Sequence, residues 1–159
     1  MNKQLLESLF DYKDGHLYWK IKPADHINEG TKAGFLCKDG YLMVRYKKKS
    51  YMLHRLIWVF HGKELPKSLD HIDGNKQNNR IENLRVATFS QNSHNTKKRI
   101  TNTSGHKNVT WNKQAKKWQV GLKIQGKFIN IGCYKDLELA GLVAKEARIK
   151  YHGEYARHE

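Results

Sequence analysis

Asp70 and His71 stand side by side at the head of the stretch Leu69-Asp70-His71-Ile72-Asp73-Gly74-Asn75-Lys76-Gln77-Asn78-Asn79-Arg80-Ile81-Glu82-Asn83-Leu84-Arg85-Val86-Ala87-Thr88. A carboxylate beside an imidazole is followed by a loop dense in Asn, Asp and Gly, then by a second short apolar segment. Oxygen donors of this kind suit a hard divalent cation that keeps several waters and takes phosphate oxygens as further ligands. Such a cation stabilises charge on a phosphorane and its departing 3′ oxygen, while a neutral imidazole takes a proton from the attacking water. The chemistry within reach is metal-assisted phosphodiester hydrolysis. His71 is the expected base, oriented through its other ring nitrogen by a backbone carbonyl or an amide such as Asn83. Asp70 and Asp73 form the locally acidic spot for the cation. On residue types alone an Asp-His pair before Asn-Gly is more often a hydrogen-bonded turn; the spaced pattern from His54 to Asn92 is what favours chemistry.

A strand, a loop, a strand and a helix would bring these groups together. Thr88-Phe89-Ser90-Gln91 fits a capping box, so a helix is expected to start there, with Asn92 one turn in and facing Asp70 across a narrow gap. Upstream, residues 2–10 read as a short helix. Asp14-Gly15 and Asp39-Gly40 are hairpin dipeptides within a small antiparallel sheet. Leu53 to Gly62 reads as a buried helix closed by its glycine. Downstream, Val109 to Asn112, Trp118 to Ile124 and Lys127 to Tyr134 read as three strands, with Gln125-Gly126 as a turn. Asp136 is the expected N-cap of a helix to about Tyr151. The fold class is α+β. Residues 1–96 form one domain, whose two-strand and helix core spans about 66–98; residues 97–103 form a basic linker, and residues 104–159 a three-stranded antiparallel sheet packed on one helix.

The 159-residue chain holds 30 Lys and Arg against 15 Asp and Glu, a formal charge of +15 that calls for a polyanionic partner. The share from residue 97 onward is +9, against +6 for residues 1–96. Aromatics at 11% argue for folded domains rather than a disordered tail. Two separated cysteines, Cys37 and Cys133, exclude a disulfide framework and a cysteine-rich zinc site, so no structural zinc is expected. The opening residues lack the apolar run of a signal peptide or membrane span, so the expected compartment is the cytoplasm, with no membrane partner.

The site residues resemble the HNH (ββα-metal) nucleases, specifically the phage homing-endonuclease branch. The resemblance lies in His54-Arg55-Leu56, Asp70 to Asn75, Asn78 to Arg85 and Gln91-Asn92, with Asn83 and Asn92 at 12 and 21 residues beyond His71. It implies that Asp70 and Asn92 bind the metal, Mg2+ with Mn2+ as the alternative, that His71 is the general base, and that Asn83 holds the loop that positions it. Asn stands where the motif's last letter is usually His, and His94 or Asn95 are the alternative helix ligands. His54 either touches phosphate or braces the core; Arg55 is expected to pair with a carboxylate, and Arg80 or Arg85 to clamp the scissile phosphate. His16, His26, His61, His106, His152 and His158 are read as surface or packing residues.

Ser104 to Trp111, Lys117 to Val120, Gly126-Lys127, Ile131 to Tyr134 and His152 to Ala156 are similar to the DNA-binding domain of plant ethylene-response factors, the APETALA type, over residues 104–157. That resemblance implies a sheet laid into the major groove. Alternation with Trp118, Val120, Leu122 and Ile124 on the helix turns Gln119, Gly121 and Lys123 outward. Phe128, Asn130, Lys127, Lys107, Thr110, Asn112, Lys113 and Lys116 join the expected DNA-binding set. The chain thus reads as a metal-dependent DNA endonuclease acting on double-stranded DNA, as a monomer or a dimer assembled on DNA, in the host cytoplasm if phage-encoded. The alternatives are a non-catalytic, transcription-factor-like DNA-binding protein and an RNA-binding basic protein. Neither gives a reason for Asp70, His71, Asn83 and Asn92 together.

Overall fold

Asn2 starts helix α1 (Lys3–Leu9) by accepting the Leu5 amide, and Phe10 ends it by turning into strand β1 (Phe10–Lys13). Strand β1 pairs antiparallel with β2 (His16–Trp19) across Asp14-Gly15, both at positive φ. A second, separate sheet has the order β3 (Phe35–Leu36), β4 (Leu42–Tyr46), β5 (Lys49–Met52). The small sheet expected from the hairpin dipeptides is therefore two sheets. Strand β5 had no turn signal because its hairpin is made by Lys47-Lys48, at φ 46° and 64°, where Asn-Gly is the usual choice. Helix α2 (Leu53–Phe60) follows, and Gly62 at φ +73° stands just beyond its end.

The core of this part is built by Leu6, Leu9, Phe10, Leu17, Val44, Leu53 and Ile57, with Leu69 and Leu84 contributed by the site strands β6 (Leu69–His71) and β7 (Leu84–Val86). Those strands pair antiparallel, Leu69 opposite Val86, Asp70 opposite Arg85 and His71 opposite Leu84. A 3-10 turn, Ile81–Asn83, leads into β7. The loop between them is backed by the first hairpin. Gly15, at φ +79°, lies so close to this loop that a Cβ there would stand 2.7 Å from the Arg80 amide nitrogen. The Tyr12 hydroxyl accepts the Ile81 amide at 3.4 Å.

Residues 1–157 are described by the computed structural model, so His158 lies outside the described residues. They form two compact units, Met1–Ala87 and one starting at Thr88. The division thus falls before the segment 97–103 rather than within it, and helix α3 (Phe89–His94) belongs to the second unit. Its start is the capping box of Thr88 and Gln91. Strands β8 (Val109–Asn112), β9 (Lys117–Ile124) and β10 (Lys127–Tyr134) form a sheet of order β10-β9-β8. Helix α4 (Leu137–His152), N-capped by Asp136, covers one face through Ala140 and Ala144 against Val109 and Val120. Ala spacing lets the helix approach closely, and at Gly141 the His106 ring fills the space a Cβ would need. The fold class is the α+β arrangement read from the sequence, including the C-terminal three-stranded sheet on one helix. Among the described residues no helix is long and apolar enough to cross a membrane.

Candidate active site

Strand alternation alone would send Asp70 to one side and His71 to the other, yet both are 4% exposed. Asp70 is held by its cross-strand neighbour: Arg85 donates from Nε at 3.0 Å and from Nη2 at 2.8 Å to Asp70 Oδ2. Asp70 is buried and Arg85 partly so, and removing Arg85 leaves a buried carboxylate without this counter-charge. Arg85, the alternative to Arg80 as a phosphate clamp, faces Asp70 because the register puts the two residues opposite each other. His71 is held by Asn79, whose Oδ1 lies 3.0 Å from His71 Nε2. The Asn79 Nδ2 donates to the Gln77 carbonyl at 3.1 Å, which fixes which way the amide points. Nε2–H is therefore the donor to Asn79 Oδ1.

Asn79, buried to 1% exposure, is the residue the sequence reading missed. Asn83, offered both as one possible partner for the ring and, by the resemblance, as the holder of the loop, is found on the loop: its Oδ1 accepts the Asp73 amide, and its Nδ2 donates to Asp73 Oδ1 and to the Asn78 carbonyl. Two adjacent Asn, Asn78 and Asn79, gave no sign of which would turn inward. Asp73 corrects a second expectation. Its carboxylate accepts from the Asn75 amide and from Asn78 and Asn83 side chains, so it organises the loop rather than adding an open acidic ligand. Burial pushes its pKa up, but the hydrogen bonds from Asn78, Asn75 and Asn83 outweigh that and leave it below the usual carboxylate value.

His54, from α2, is 6% exposed and its ring stands edge-on to His71 at 5.1 Å between centroids. Burial, then the neighbouring His71 and Arg55, push its pKa down to about 4, so it is neutral at neutral pH. Its Nδ1 has no hydrogen-bond partner among the described residues. Tyr41 packs on both imidazoles, 5.5 Å from His54 and 6.1 Å from His71. Lys76 Nζ lies 4.4 Å from the Tyr41 ring centre and donates to the Asp39 carbonyl. Arg55 donates to the Pro66 carbonyl at 3.3 Å, not to a carboxylate, and Arg80 lies exposed 3.6 Å from Asp14. No group of three or more His, Cys, Asp and Glu able to hold a metal occurs among the described residues. A cation at Asp70 would thus depend on amide, water and substrate oxygens for its remaining ligands, the coordination a hard ion accepts.

In the second unit, Asn92 is half-buried in the middle of α3, while Asn95 is its buried C-cap. The His94 ring stacks on His152 at 3.7 Å, nearly parallel, and burial lowers both pKa values. Of the expected DNA-binding residues, Thr110 pairs with Gln119, Asn130 with Gly121 and Phe128 with Lys123, so these rows share the face away from α4. Asn112 caps the β8–β9 turn by accepting the Ala115 amide, and Lys113 and Lys116 are exposed in that turn. Two residues depart from the expectation. Lys127 opposes Ile124 in register, which puts it on the other face of the hairpin tip. Lys107 is turned inward, its Nζ donating to the carbonyls of Thr96, His94 and Arg157 at 2.6, 3.0 and 3.2 Å.

Comparison with known proteins bears on this geometry. The family model for HNH endonucleases matches residues 51–94. Protein 3.8 of Escherichia phage T7 is 35% identical over 106 residues, covering 65% of this chain and 87% of that protein. A Bacillus subtilis (strain 168) protein, named as an SPbeta prophage-derived HNH homing endonuclease, is 38% identical over 65 residues, 36% of this chain and 38% of its own. An uncharacterized HNH endonuclease of Acanthamoeba polyphaga mimivirus is 42% identical over 82 residues, 49% of this chain and 42% of its own. No solved structure matches the chain at a significant level. The matched span takes in α2, the Asp70-His71 hairpin and α3, so residues 51–94 match the HNH endonuclease domain, and the chain belongs to the same family as Protein 3.8 of phage T7.

Proposed function

We propose that the protein is a metal-dependent DNA endonuclease of the homing type, hydrolysing phosphodiester bonds with His71 as general base. The observation that carries this reading is the buried His71–Asn79 pair, in which the oriented Asn79 amide holds His71 through Nε2. Asp70 and Asn92 are the residues that would hold the divalent ion, and their oxygen donors suit Mg2+ or Mn2+. When bound, the ion neutralises charge developing on the phosphate and the departing 3′ oxygen. His71 accepts the proton of the attacking water at Nδ1, with Nε2–H held by Asn79 throughout. Asn83 and Asp73 keep the loop that carries Asn79 in place. Arg80, exposed at the loop's end, is available to a phosphate oxygen.

The second unit is read as an APETALA-type DNA-binding module, whose outward face of Thr110, Gln119, Lys123, Phe128 and Asn130 meets DNA. That reading draws on the three-stranded sheet packed on one helix and on the excess of +9 from residue 97 onward. Nicking of a supercoiled plasmid with Mg2+, with Mn2+ and with EDTA tests the activity. Cleavage with either ion and none in EDTA is expected; DNA binding without any metal-dependent nicking would leave a transcription-factor-like protein in its place.

A further inference from the structure

The polar face of the C-terminal sheet is not an open plane. Residues 93–102 run along it and leave a groove of about 600 Å³, lined on one side by Thr96, Lys97, Lys98 and Arg99 and on the other by Thr110, Gly121, Lys123 and Phe128. No carboxylate lies among its described lining residues. Lys107 does not add to the groove's donors, because its ammonium is taken up by three carbonyls; it ties the His94 and Thr96 backbone to the sheet and so keeps the wall in place. His94 and His152 also line the groove and are neutral at neutral pH. The cationic donors left to it are therefore those of Lys97, Arg99 and Lys123, together with Lys98, which also donates to the Gly105 carbonyl at 2.6 Å, a row of cations matched to a phosphodiester backbone.

Phe128 is the residue that charge does not explain. It is 66% exposed on a polar face and opposite Lys123 in register. Its ring lies over Gly121, where a Cβ would overlap the ring edge. Gly121 sits inside a strand, a position where glycine weakens pairing, so its use here fits the close approach of the ring. The tip of the ring is thereby set against the Gly121 backbone, while the rest of the ring stays exposed in the lining of the basic groove. A phosphate-only interface needs no such ring, whereas a base out of its stack gains from one.

We propose that this groove takes a single DNA strand, with one unstacked base on Phe128 and the flanking phosphates on Lys97, Lys98, Arg99 and Lys123. The inference rests on the DNA-acting reading above but not on cleavage. Binding of a single-stranded oligonucleotide carrying 2-aminopurine, and of the same sequence as a duplex, is measured with the full chain in EDTA. The wild type quenches the probe in the single strand. Phe128→Ala abolishes the quench and weakens single-strand binding at least about fivefold, while Phe128→Tyr restores both. Lys97→Ala with Arg99→Ala flattens the salt dependence but keeps the quench. Unchanged single-strand affinity and quench in Phe128→Ala, or binding by the wild type to the duplex alone, overturns the proposal. Plasmid nicking by the same preparation is scored separately, so loss of the nuclease reading and loss of this one give different results.

Discussion

Asn79 gives His71 a single useful tautomer, because its own amide is oriented by Gln77. Replacing it with Ala leaves a buried ring N–H unsatisfied, a cost of about 1–3 kcal/mol in stability, and lets the imidazole change tautomer. The nicking rate of Asn79→Ala is expected to fall about tenfold or more. His54 gives a second prediction at this scale. The unfolded chain protonates this ring near its ordinary value of 6.5 and the folded chain only near 4, so stability is whole above the first value and is lost as pH falls toward the second. The loss amounts to roughly 3 kcal/mol. Thermal unfolding of His54→Phe across this window should lack that part of the acid destabilisation; equal pH dependence in both proteins would contradict it.

At the scale of elements, sequence was a good guide where local chemistry decides the outcome. The Thr88 capping box, the Asp136 N-cap and the three C-terminal strands follow from side-chain identity and alternation over a few residues. It was a poor guide where a partner distant in sequence decides. Asn79 rather than Asn78 is buried because the first hairpin presses on the Asn79–Arg80 backbone, and Lys107 turns inward because carbonyls from Thr96, His94 and Arg157 converge there. Strand β5 was hidden because two lysines occupy left-handed turn positions. Those positions carry a testable strain. Lys47→Asn with Lys48→Gly is expected to raise unfolding stability by about 1 kcal/mol, measured by urea denaturation; destabilisation would mean the lysines serve a contact.

Over the whole molecule, the charge of +15 separates into distinct uses. Arg85 and Lys107 are internal, one on a carboxylate and one on carbonyls, and are not available to a ligand. The cations lining the sheet groove and the β8–β9 turn are the ones the proposed DNA contact would use. If about six phosphates are met, affinity falls by about 10³-fold between about 50 and about 200 mM salt. A flat response in a fluorescence-anisotropy titration would remove the electrostatic argument.

His71 is proposed to take the proton in a metal-dependent cleavage, and His71→Ala removes that base. Single-turnover nicking of supercoiled plasmid is measured in Mg2+ for the wild type and this variant, with protein concentrations set so that both saturate the DNA. A loss of about 10²-fold or more in rate, with DNA binding retained, is the expected result. Equal nicking rates at equal occupancy would contradict it.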